Sequence, residues 1–434
     1  MFKISWKIIL ILGILLRVIY FLLVPQGQSP DEAFILKRVW ANQNNPSTLI
    51  YPDSKNFYYP NNEYYYPPLY FVSAYVLTRI LPVSQNPDYY SWFLKSVFIL
   101  RTFSLFLSAI TLFVFWKILN EVVSSQTVKL GSFVFISMLP SLATFSISAN
   151  HNNLVFFLTS MFVYYLLSHR KRVNIRLFVI SGGLFGLALL TKFDSIIFLP
   201  FVGYLFFAGK KKYNINWRLY LAFVVSFIAC GGWWFIGELV KYGWYYNREM
   251  FASALSDYVS PFAFLGYSSV VILNAFKTFF ATGGVFNNIF LSTKDYLLLF
   301  ILTTVSFVGC VKLSIVSIRN EKKIHSIYLV FLSSFILNLF MFCYINFYLV
   351  FQPQGRYFFS SIVLLSVVWI GGIYSVFPTR LRNLMPLAIV SVFTYLNIMN
   401  FDCYARTYHK FNIVATNSVS CGGSYVPVTG IYSD

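Results

Sequence analysis

Apolar residues in this chain occur in long runs that are separated by short polar stretches. A run of roughly 17–25 apolar residues is long enough to cross the hydrocarbon core of a bilayer as a helix. The pattern predicts about eleven such helices, so the expected fold class is an all-α polytopic membrane protein. The predicted spans are residues 5–24, 94–118, 130–149, 153–169, 176–192, 194–209, 219–237, 296–317, 327–350, 358–377 and 384–400.

Two segments that fall on the same side of the membrane, 25–93 and 238–295, are too long to be simple connectors. Within the first, the apolar stretch 69–83 is short for a span and is flanked by prolines, which predicts a helix at the membrane surface. Both segments contain many Tyr and Trp residues, which suit the membrane–water interface. We predict that the two segments form a canopy over a transmembrane bundle of residues 1–400, and that residues 401–434 form a short tail.

Composition agrees with a membrane protein. The chain is 58% hydrophobic and only 11% charged, whereas a soluble domain carries about 25% charged residues. The bilayer is therefore the expected solvent for most of the chain. The first apolar run is predicted to stay uncleaved, because Val24-Pro25-Gln26-Gly27 is a poor site for a signal peptidase.

The net charge of +19 is concentrated in short loops on one side of the predicted bundle. These clusters are Arg170-Lys171-Arg172, Lys210-Lys211-Lys212, Arg319 with Lys322-Lys323, and Arg380 with Arg382. Basic loops face the cytoplasm in membrane proteins. The charge therefore indicates topology and argues against a nucleic-acid partner. We expect a multi-pass protein of the inner membrane with a cytoplasmic N-terminus and a periplasmic or extracellular C-terminus.

Cysteine usage suggests no zinc site, because the sequence has no CxxC and no Cys/His cluster. Cys403 and Cys421 share the tail. In an oxidising compartment they either form a disulfide bond or remain two free thiols, and the sequence leaves both readings open.

The candidate chemistry lies on the predicted outer side. Asp31-Glu32 follows the first span closely. A carboxylate just outside the bilayer is placed to act as a general base on an acceptor hydroxyl. The alternative is a simple helix start, with Ser29 as N-cap, Pro30 at the first helical position and the acids in the first turn.

Basic residues at span ends or in the large loops lie on the side of Asp31. Arg at such a depth is costly unless it is paired or functional, and its fork of donors matches phosphate oxygens. The alternatives are snorkelling and local ion pairs, for example between Lys192 and Asp194. The set comprises Arg101, Lys192, Arg248, Lys277 and Arg356.

Two short outer turns carry amide side chains. Asn150-His151-Asn152-Asn153 offers amides for sugar hydroxyls or for a helix cap, and His151 has no second metal ligand at useful spacing. Gln352-Pro353-Gln354-Gly355-Arg356-Tyr357 forms a tight turn, yet a turn alone requires no Arg. The chain has no P-loop, GxGxxG or GxSxG motif, so the sequence does not support a nucleotide-driven reaction.

Several short motifs, in a fixed order over about 350 residues, resemble the GT-C superfamily of membrane glycosyltransferases. That superfamily includes protein O-mannosyltransferases and the transferases that modify bacterial lipopolysaccharide. The motifs are Pro30-Asp31-Glu32, Tyr65-Tyr66-Pro67-Pro68-Leu69-Tyr70, Leu100-Arg101, Pro140 with Asn150-His151-Asn152-Asn153, Gly186-Leu187-Ala188-Leu189-Leu190-Thr191-Lys192, Phe279-Phe280-Ala281-Thr282-Gly283-Gly284 and Gln354-Gly355-Arg356-Tyr357. Relatives often carry an Asp in the turn where this chain has Asn150–Asn153.

The resemblance implies a GT-C-like bundle that takes a sugar from a polyprenyl-phosphate donor and passes it, with inversion, to a glycan or lipid-linked acceptor. Cell-surface polysaccharide, such as O antigen, is the expected product. Asp31 is the implied base, with Glu32 beside it. The implied phosphate-binding residues are Arg356, Lys192, Arg101 and Arg248, and the implied substrate-binding residues are Tyr66, Asn150, His151, Asn152, Gln354 and Tyr357. No cofactor is required, although acids near Asp31 are suited to hold a divalent cation such as Mg²⁺ or Mn²⁺.

Two other readings remain open at this stage. A transporter or lipid-linked glycan flippase predicts charges buried within spans and repeat symmetry. Apart from Arg17, the predicted spans are nearly clean of charge in their interiors, the ionisable groups gather at the outer rim, and no repeat is visible. A glycan ligase or polymerase of another membrane fold shares the substrate class but lacks the first-loop acid.

Overall fold

The computed structural model describes residues 5–50, 67–80, 89–170, 173–213, 216–242, 261–281, 289–319, 326–349, 351–410 and 419–420. Within these ranges the chain is a bundle of helices, and the two short strands β1 (Ile289–Phe290) and β2 (Val419–Ser420) pair in parallel. The helices are α1 (Trp6–Leu23), α2 (Glu32–Asn44), α3 (Leu69–Ile80), α4 (Tyr89–Val122), α5 (Gln126–Met138), α6 (Pro140–Phe145), α7 (His151–His169), α8 (Ile175–Thr191), α9 (Leu199–Tyr213), α10 (Trp217–Phe227), α11 (Trp233–Tyr242), α12 (Pro261–Phe280), α13 (Thr293–Arg319), α14 (Ser326–Tyr344), α15 (Ile362–Val376) and α16 (Met385–Lys410).

Short irregular helical segments modify the ends of several helices. A π-helical turn, Ile228–Gly232, joins α10 to α11, and another, Ile345–Leu349, extends α14. Segments of 3₁₀-helix precede three helices, at Phe193–Phe198 before α9, Gly355–Ser361 before α15 and Arg382–Leu384 before α16.

Seven helices in the described ranges are long and apolar enough to cross a membrane. The membrane fold is therefore confirmed, but the predicted number of eleven spans is not. Several predicted spans are shorter helices here, and 176–192 corresponds to the seventeen-residue α8.

The predicted span 130–149 is wrong as a single helix. The chain leaves the helical conformation at Leu139, and Pro140 starts the separate six-residue helix α6. Proline removes a backbone donor and clashes with the preceding turn, which explains the break. Non-helical backbone follows at residues 146–150, and this stretch is buried inside the protein, where such backbone is tolerated at membrane depth.

Helix α12 lies within the segment 238–295 that was expected to be a loop. Its apolar part, Phe264–Phe280, is too short for a confident span by composition. At its end it packs against the turn before α15, where Gly355 lies so close that an added Cβ atom would be 2.3 Å from the Ala275 carbonyl oxygen. A glycine is required at this approach because any side chain would collide with the α12 backbone.

The first outer segment is anchored to the bundle by its own hydrophobic cluster. Ile35, Leu36 and Val39 of α2 pack with Tyr70 and Phe71 of α3 against α4 and α7. The helix at 69–80 confirms that this stretch is helical, and its place at the membrane surface stays a prediction. Because α2 and α3 are fixed in this way, the turn between α1 and α2 is held against the bundle.

Polar contacts inside the bundle tie α1 to α16. The Tyr20 hydroxyl donates to Asn397 Oδ1 at 2.9 Å and accepts from Asn400 Nδ2 at 2.7 Å. Arg17, 1% exposed, donates to Ser108 Oγ and to the carbonyl oxygens of Gly13 and Ser137. Arg17 therefore joins α1 to α4 and α5 through hydroxyl and carbonyl partners.

The C-terminal part is more ordered than a simple tail. Helix α16 continues to Lys410, ten residues past the predicted end of the span at 400. Beyond it, β2 pairs with β1, which precedes α13. Cys403 is disulfide-bonded, while Cys421 lies outside the described residues.

Much of the predicted canopy also lies outside the described residues, so the canopy stays a prediction. Ile50 of the first segment contacts α11 instead, where Trp234 donates from Nε1 to the Ile50 carbonyl oxygen at 3.0 Å.

Candidate active site

Asp31 lies in the turn between α1 and α2 with an unusual backbone conformation. Its φ is 62°, and among the described residues it is the only non-glycine with a positive φ. Asp tolerates this region better than most residues, but the conformation still costs energy and persists only where the surroundings enforce it. Helix α2 begins at Glu32, and the Asp31 side chain makes no capping hydrogen bond. The alternative of a simple helix start capped by Ser29 is therefore wrong.

The Asp31 carboxylate is held by two residues from distant parts of the chain. Arg356 Nη1 lies 2.6 Å from Oδ2, and Arg356 Nη2 donates to Oδ1 at 3.2 Å. Asn150 Nδ2 donates to Oδ2 at 3.2 Å. The Asp31 side chain keeps 31% of its surface exposed, so the carboxylate is both fixed and open to a ligand.

Glu32 has a different environment. Its side chain is fully buried, and Arg101 donates to it from Nε at 2.8 Å and from Nη2 at 2.6 Å. The carboxylate also accepts from the backbone N–H groups of Gly27 at 2.8 Å and Ala149 at 3.1 Å. Glu32 therefore ties the first outer turn to α4 and to the irregular stretch after α6.

Arg101 is equally committed to this contact. Besides Glu32, it donates to the carbonyl oxygens of Val24 at 2.6 Å and Pro25 at 2.8 Å. With 2% of its surface exposed, its guanidinium does not face the open side of Asp31. In this geometry Glu32 and Arg101 act as positioning residues and not as groups that contact substrate.

The turn at Asn150 caps the following helix, as the sequence allowed, and also contacts Asp31. Asn150 caps α7, because its Oδ1 accepts from the Asn152 backbone N–H at 2.9 Å. Its amide nitrogen simultaneously holds Asp31. The cap fixes the amide, so the α7 N-terminus orients the Asp31 carboxylate.

Lys192 lies at the C-terminal end of α8, next to this turn. Its Nζ is 2.7 Å from Asp194 Oδ2 and donates to Asn152 Oδ1 at 3.1 Å. The local pairing with Asp194 is confirmed. The same Nζ lies 5.9 Å from the ring centroid of Tyr357, so Lys192 also faces the segment that carries Arg356.

The segment 352–357 is shaped by the close approach of Gly355 to α12. The Gly355 N–H donates to Thr278 Oγ1 at 2.7 Å, and the Tyr357 hydroxyl donates to Gln352 Oε1. Gln354 Oε1 is buried and has no hydrogen-bond partner among the residues that the structure describes. A buried acceptor without a donor is costly. This amide oxygen is therefore a candidate to accept a hydrogen bond from a substrate hydroxyl.

His151 is buried beneath these charges, before the apolar run 153–169. Burial is the main cause that holds the pKa of His151 well below its ordinary value. The positive charges of Lys192, Arg356 and Arg38 add to the shift, in that order. His151 is therefore neutral at physiological pH.

Arg38 is the site residue that the sequence analysis missed. It is 2% exposed, and its guanidinium carbon lies 3.6 Å from the centroid of the Phe71 ring. The sequence contained an indication of its burial, because one helix face at i, i+3, i+4, i+7 spacing carries Ile35, Arg38, Val39 and Asn42. All four are buried in the structure. A cation on the buried face of a helix marks a functional candidate.

The structure thus brings Asp31, Asn150, His151, Asn152, Lys192, Arg356 and Tyr357 together in one cluster. Tyr66 and Arg248 lie outside the described residues. Lys277 lies 5.9 Å from the Tyr296 ring centroid on α13.

The described donor set does not fit a divalent cation. Both Asp31 oxygens face Arg356 or the Asn150 amide nitrogen, and the amide oxygens of Asn150 and Asn152 accept from other residues. Mg²⁺ is held by carboxylates and phosphates. Across the described ranges no group of three His, Cys, Asp or Glu residues is placed to hold a metal.

Comparison with known proteins is informative at this point. Residues 90–235, from α4 into α11, match the family model described as dolichyl-phosphate-mannose-protein mannosyltransferase. This range includes Arg101, Asn150 and Lys192 but neither Asp31 nor Arg356. A search of curated proteins found no match.

Solved structures of the Archaeoglobus fulgidus oligosaccharyltransferase superpose on nearly the whole chain. The apo form gives a TM-score of 0.52 at 14% identity and covers 95% of this chain and 59% of that one. The form tethered to an acceptor peptide with the NVT sequon gives 0.51 at 13% identity, covering 92% and 55%. The complex with Zn and sulfate gives 0.50 at 13% identity, covering 92% and 53%.

The chain shares the fold of these oligosaccharyltransferase structures. It spans a little over half the length of the oligosaccharyltransferase chains it matches. Within this fold, the cluster around Asp31 lies where the irregular backbone after α6, the N-terminus of α7 and the turn before α15 meet.

Proposed function

We propose that the protein is a GT-C glycosyltransferase that moves a sugar from a polyprenyl-phosphate donor to a glycan or lipid-linked glycan acceptor. The reaction takes place at the outer face of the cytoplasmic membrane. The observation that carries this proposal is the Asp31 carboxylate, partly exposed and fixed by Arg356 and Asn150. The family match over residues 90–235 and the GT-C fold support the reaction class.

Asp31 is the general base in this proposal. The acceptor hydroxyl approaches the exposed side of the carboxylate and gives up its proton as it attacks the sugar. Asn150 holds the carboxylate through the α7 cap, which restricts its rotation. A single base and direct displacement invert the configuration at the anomeric carbon.

Arg356 and Lys192 bind the phosphate of the donor. Their heads converge on the segment around Asp31 and Tyr357. Arg presents paired donors that match phosphate oxygens, and Lys adds a compact charge. The polyprenyl phosphate leaves as a stable anion, so the site must hold charge and need not supply a proton.

Arg38 and His151 support the same pocket from below. His151 is neutral and adds no negative charge to the pocket, while buried Arg38 adds positive potential. Gln354 offers its buried acceptor to a hydroxyl of the sugar. A cell-surface polysaccharide such as O antigen remains the expected acceptor class.

The transporter alternative is not favoured by the contacts of Arg17. A charge that lies on a transport path faces a water-filled cavity or a titratable partner. Arg17 instead bonds to the Ser108 hydroxyl and to two backbone carbonyl groups, which is a fixed structural arrangement.

The test is mass spectrometry of cell-surface glycans from native cells with and without the gene. The proposal expects one glycan or lipid-linked glycan to lose the mass of one sugar unit when the gene is removed, and to regain it on complementation. Glycans of unchanged mass, together with altered amounts of a lipid-linked intermediate, would instead indicate a flippase.

A further inference from the structure

The base and the phosphate-binding arginine of the proposed site are bound to each other. Arg356 meets both carboxylate oxygens of Asp31, at 2.6 and 3.2 Å. A guanidinium that is paired with a carboxylate cannot offer the same donors to a phosphate. A carboxylate whose oxygens both face guanidinium donors also has fewer free lone pairs for an acceptor hydroxyl. The ion pair therefore occupies both groups.

The space beside Arg356 points in the same direction. The cavity that it lines with Pro30, Phe145 and Phe359 has a volume of about 10 Å³, which is about the room that one water requires. A phosphate group does not fit there while the ion pair is closed. A phosphate therefore competes with Asp31 for the partly exposed guanidinium.

The neighbouring acids Glu32 and Asp31 form ion pairs that differ in their exposure to solvent. Glu32 and Arg101 are 0% and 2% exposed and cannot be reached by a ligand. Asp31 and Arg356 keep 31% and 13% of their side-chain surfaces exposed. A partly exposed pair is weak enough for another anion to compete.

Asn150 keeps Asp31 in place when Arg356 binds another anion. Asn150 is fixed as the N-cap of α7 and donates to Asp31 Oδ2 independently of Arg356. When the guanidinium turns to another anion, the carboxylate keeps its amide contact. The geometry thus permits exchange without loss of the base position.

We propose that the phosphate of the donor displaces Asp31 from Arg356, so that donor binding itself frees the base. This inference rests on the proposed function. The acceptor O–H proton passes to the freed Asp31, and the acceptor oxygen bonds to the anomeric carbon. The bond from that carbon to the phosphate oxygen breaks, and its electron pair leaves with the polyprenyl phosphate, which Arg356 holds. The donor must then bind before the acceptor is activated.

The test is a double-mutant cycle on the affinity of the full-length protein, in lipid nanodiscs, for a polyprenyl monophosphate without sugar. Asp31→Asn preserves the amide contact and the tolerance for positive φ but removes the competitor for Arg356. It should tighten lipid-phosphate binding by roughly fivefold. Arg356→Gln should weaken binding by roughly tenfold.

The double variant decides between exchange and simple repulsion. If Asp31 acts through Arg356, Asp31→Asn has no effect in the Arg356→Gln background. If Asp31→Asn still tightens binding there, plain repulsion between carboxylate and phosphate explains the effect, and the exchange is overturned. Unchanged affinity of the single Asp31→Asn variant overturns it as well.

Controls keep the outcomes separable. Asp402→Asn, in the exposed pair with Arg406 on α16, should leave the affinity unchanged. Arg356→Lys keeps a cation and should retain part of the coupling if Arg356→Gln fails to fold. Loss of sugar transfer in Asp31→Asn with unchanged lipid affinity would reject the exchange alone, whereas full transfer by Asp31→Asn would reject the proposed function itself.

Discussion

The carboxylate of Glu32 and the guanidinium of Arg101 form a bidentate ion pair that is almost completely removed from solvent. Through this pair, the turn that carries Asp31 is attached to α4. Two adjacent acids in the sequence thus have separate tasks: Glu32 fixes the turn, and Asp31 faces the open site.

Replacement of Glu32 by Gln should destabilise the protein. The change leaves the Arg101 charge buried without its counter-ion, which typically costs about 3–5 kcal/mol. Thermal unfolding in detergent should show a clearly lower Tm than the wild type. Glu121→Gln, in the more exposed pair with Arg170, is the matched control and should shift Tm little. A wild-type Tm for Glu32→Gln would remove the pair from its proposed structural role.

Gly355→Ala should disturb both stability and the position of Arg356. Its added methyl group would lie 2.3 Å from the Ala275 carbonyl oxygen and from the Phe279 backbone nitrogen. Overpacking of this kind costs about 1–3 kcal/mol in stability. The backbone shift that relieves it would also displace Arg356, the next residue in the chain. Gly371→Ala on α15 meets nothing within 4 Å and should be tolerated. Equal Tm and equal transfer for both variants would speak against the close approach.

Stability should fall at mildly acidic pH because of His151. Its pKa in the folded state is lowered, mainly by burial, while the unfolded value is about 6.5. Below that value the unfolded chain binds more protons, so the free energy of unfolding falls by up to about 1.4 kcal/mol per pH unit. Tm measured from pH 7.5 to 5 should decline less steeply for His151→Gln than for wild type or the control His169→Gln. Parallel curves for all three proteins would contradict this explanation.

Lys192→Gln should weaken binding of the donor phosphate without unfolding the protein. A charged hydrogen bond contributes about 1.5–3 kcal/mol, so affinity for a polyprenyl monophosphate should fall by roughly tenfold or more. Lys277→Gln is the comparison, since Lys277 lies over the Tyr296 ring and not beside Asp31. A similar loss of affinity in both variants would mean that Lys192 acts only through its general positive charge.

Local patterns in the sequence were sufficient for some of these features. The helix at 69–80, the Lys192–Asp194 pair and the cap at Asn150 each depend on residues close in the chain. Their physics is short-range, so periodicity and spacing can predict them.

Other features depend on tertiary contacts. Asp31 and Arg356 are 325 residues apart, and no periodicity specifies that they meet. Asp31-Glu32 is one acidic dipeptide in sequence, and only the packing of α2 decides which acid is buried. The break at Pro140 was visible, yet the apolar residues on both sides imitate one continuous span.

The most direct test of the central claim is complementation of cells that lack the gene with wild-type protein or with Asp31→Asn, followed by mass spectrometry of surface glycans. Wild type should restore the missing sugar unit. Asp31→Asn, present in the membrane at wild-type level with unchanged Tm, should restore none, because the base is gone. Restoration of the full glycan mass by Asp31→Asn would contradict the account.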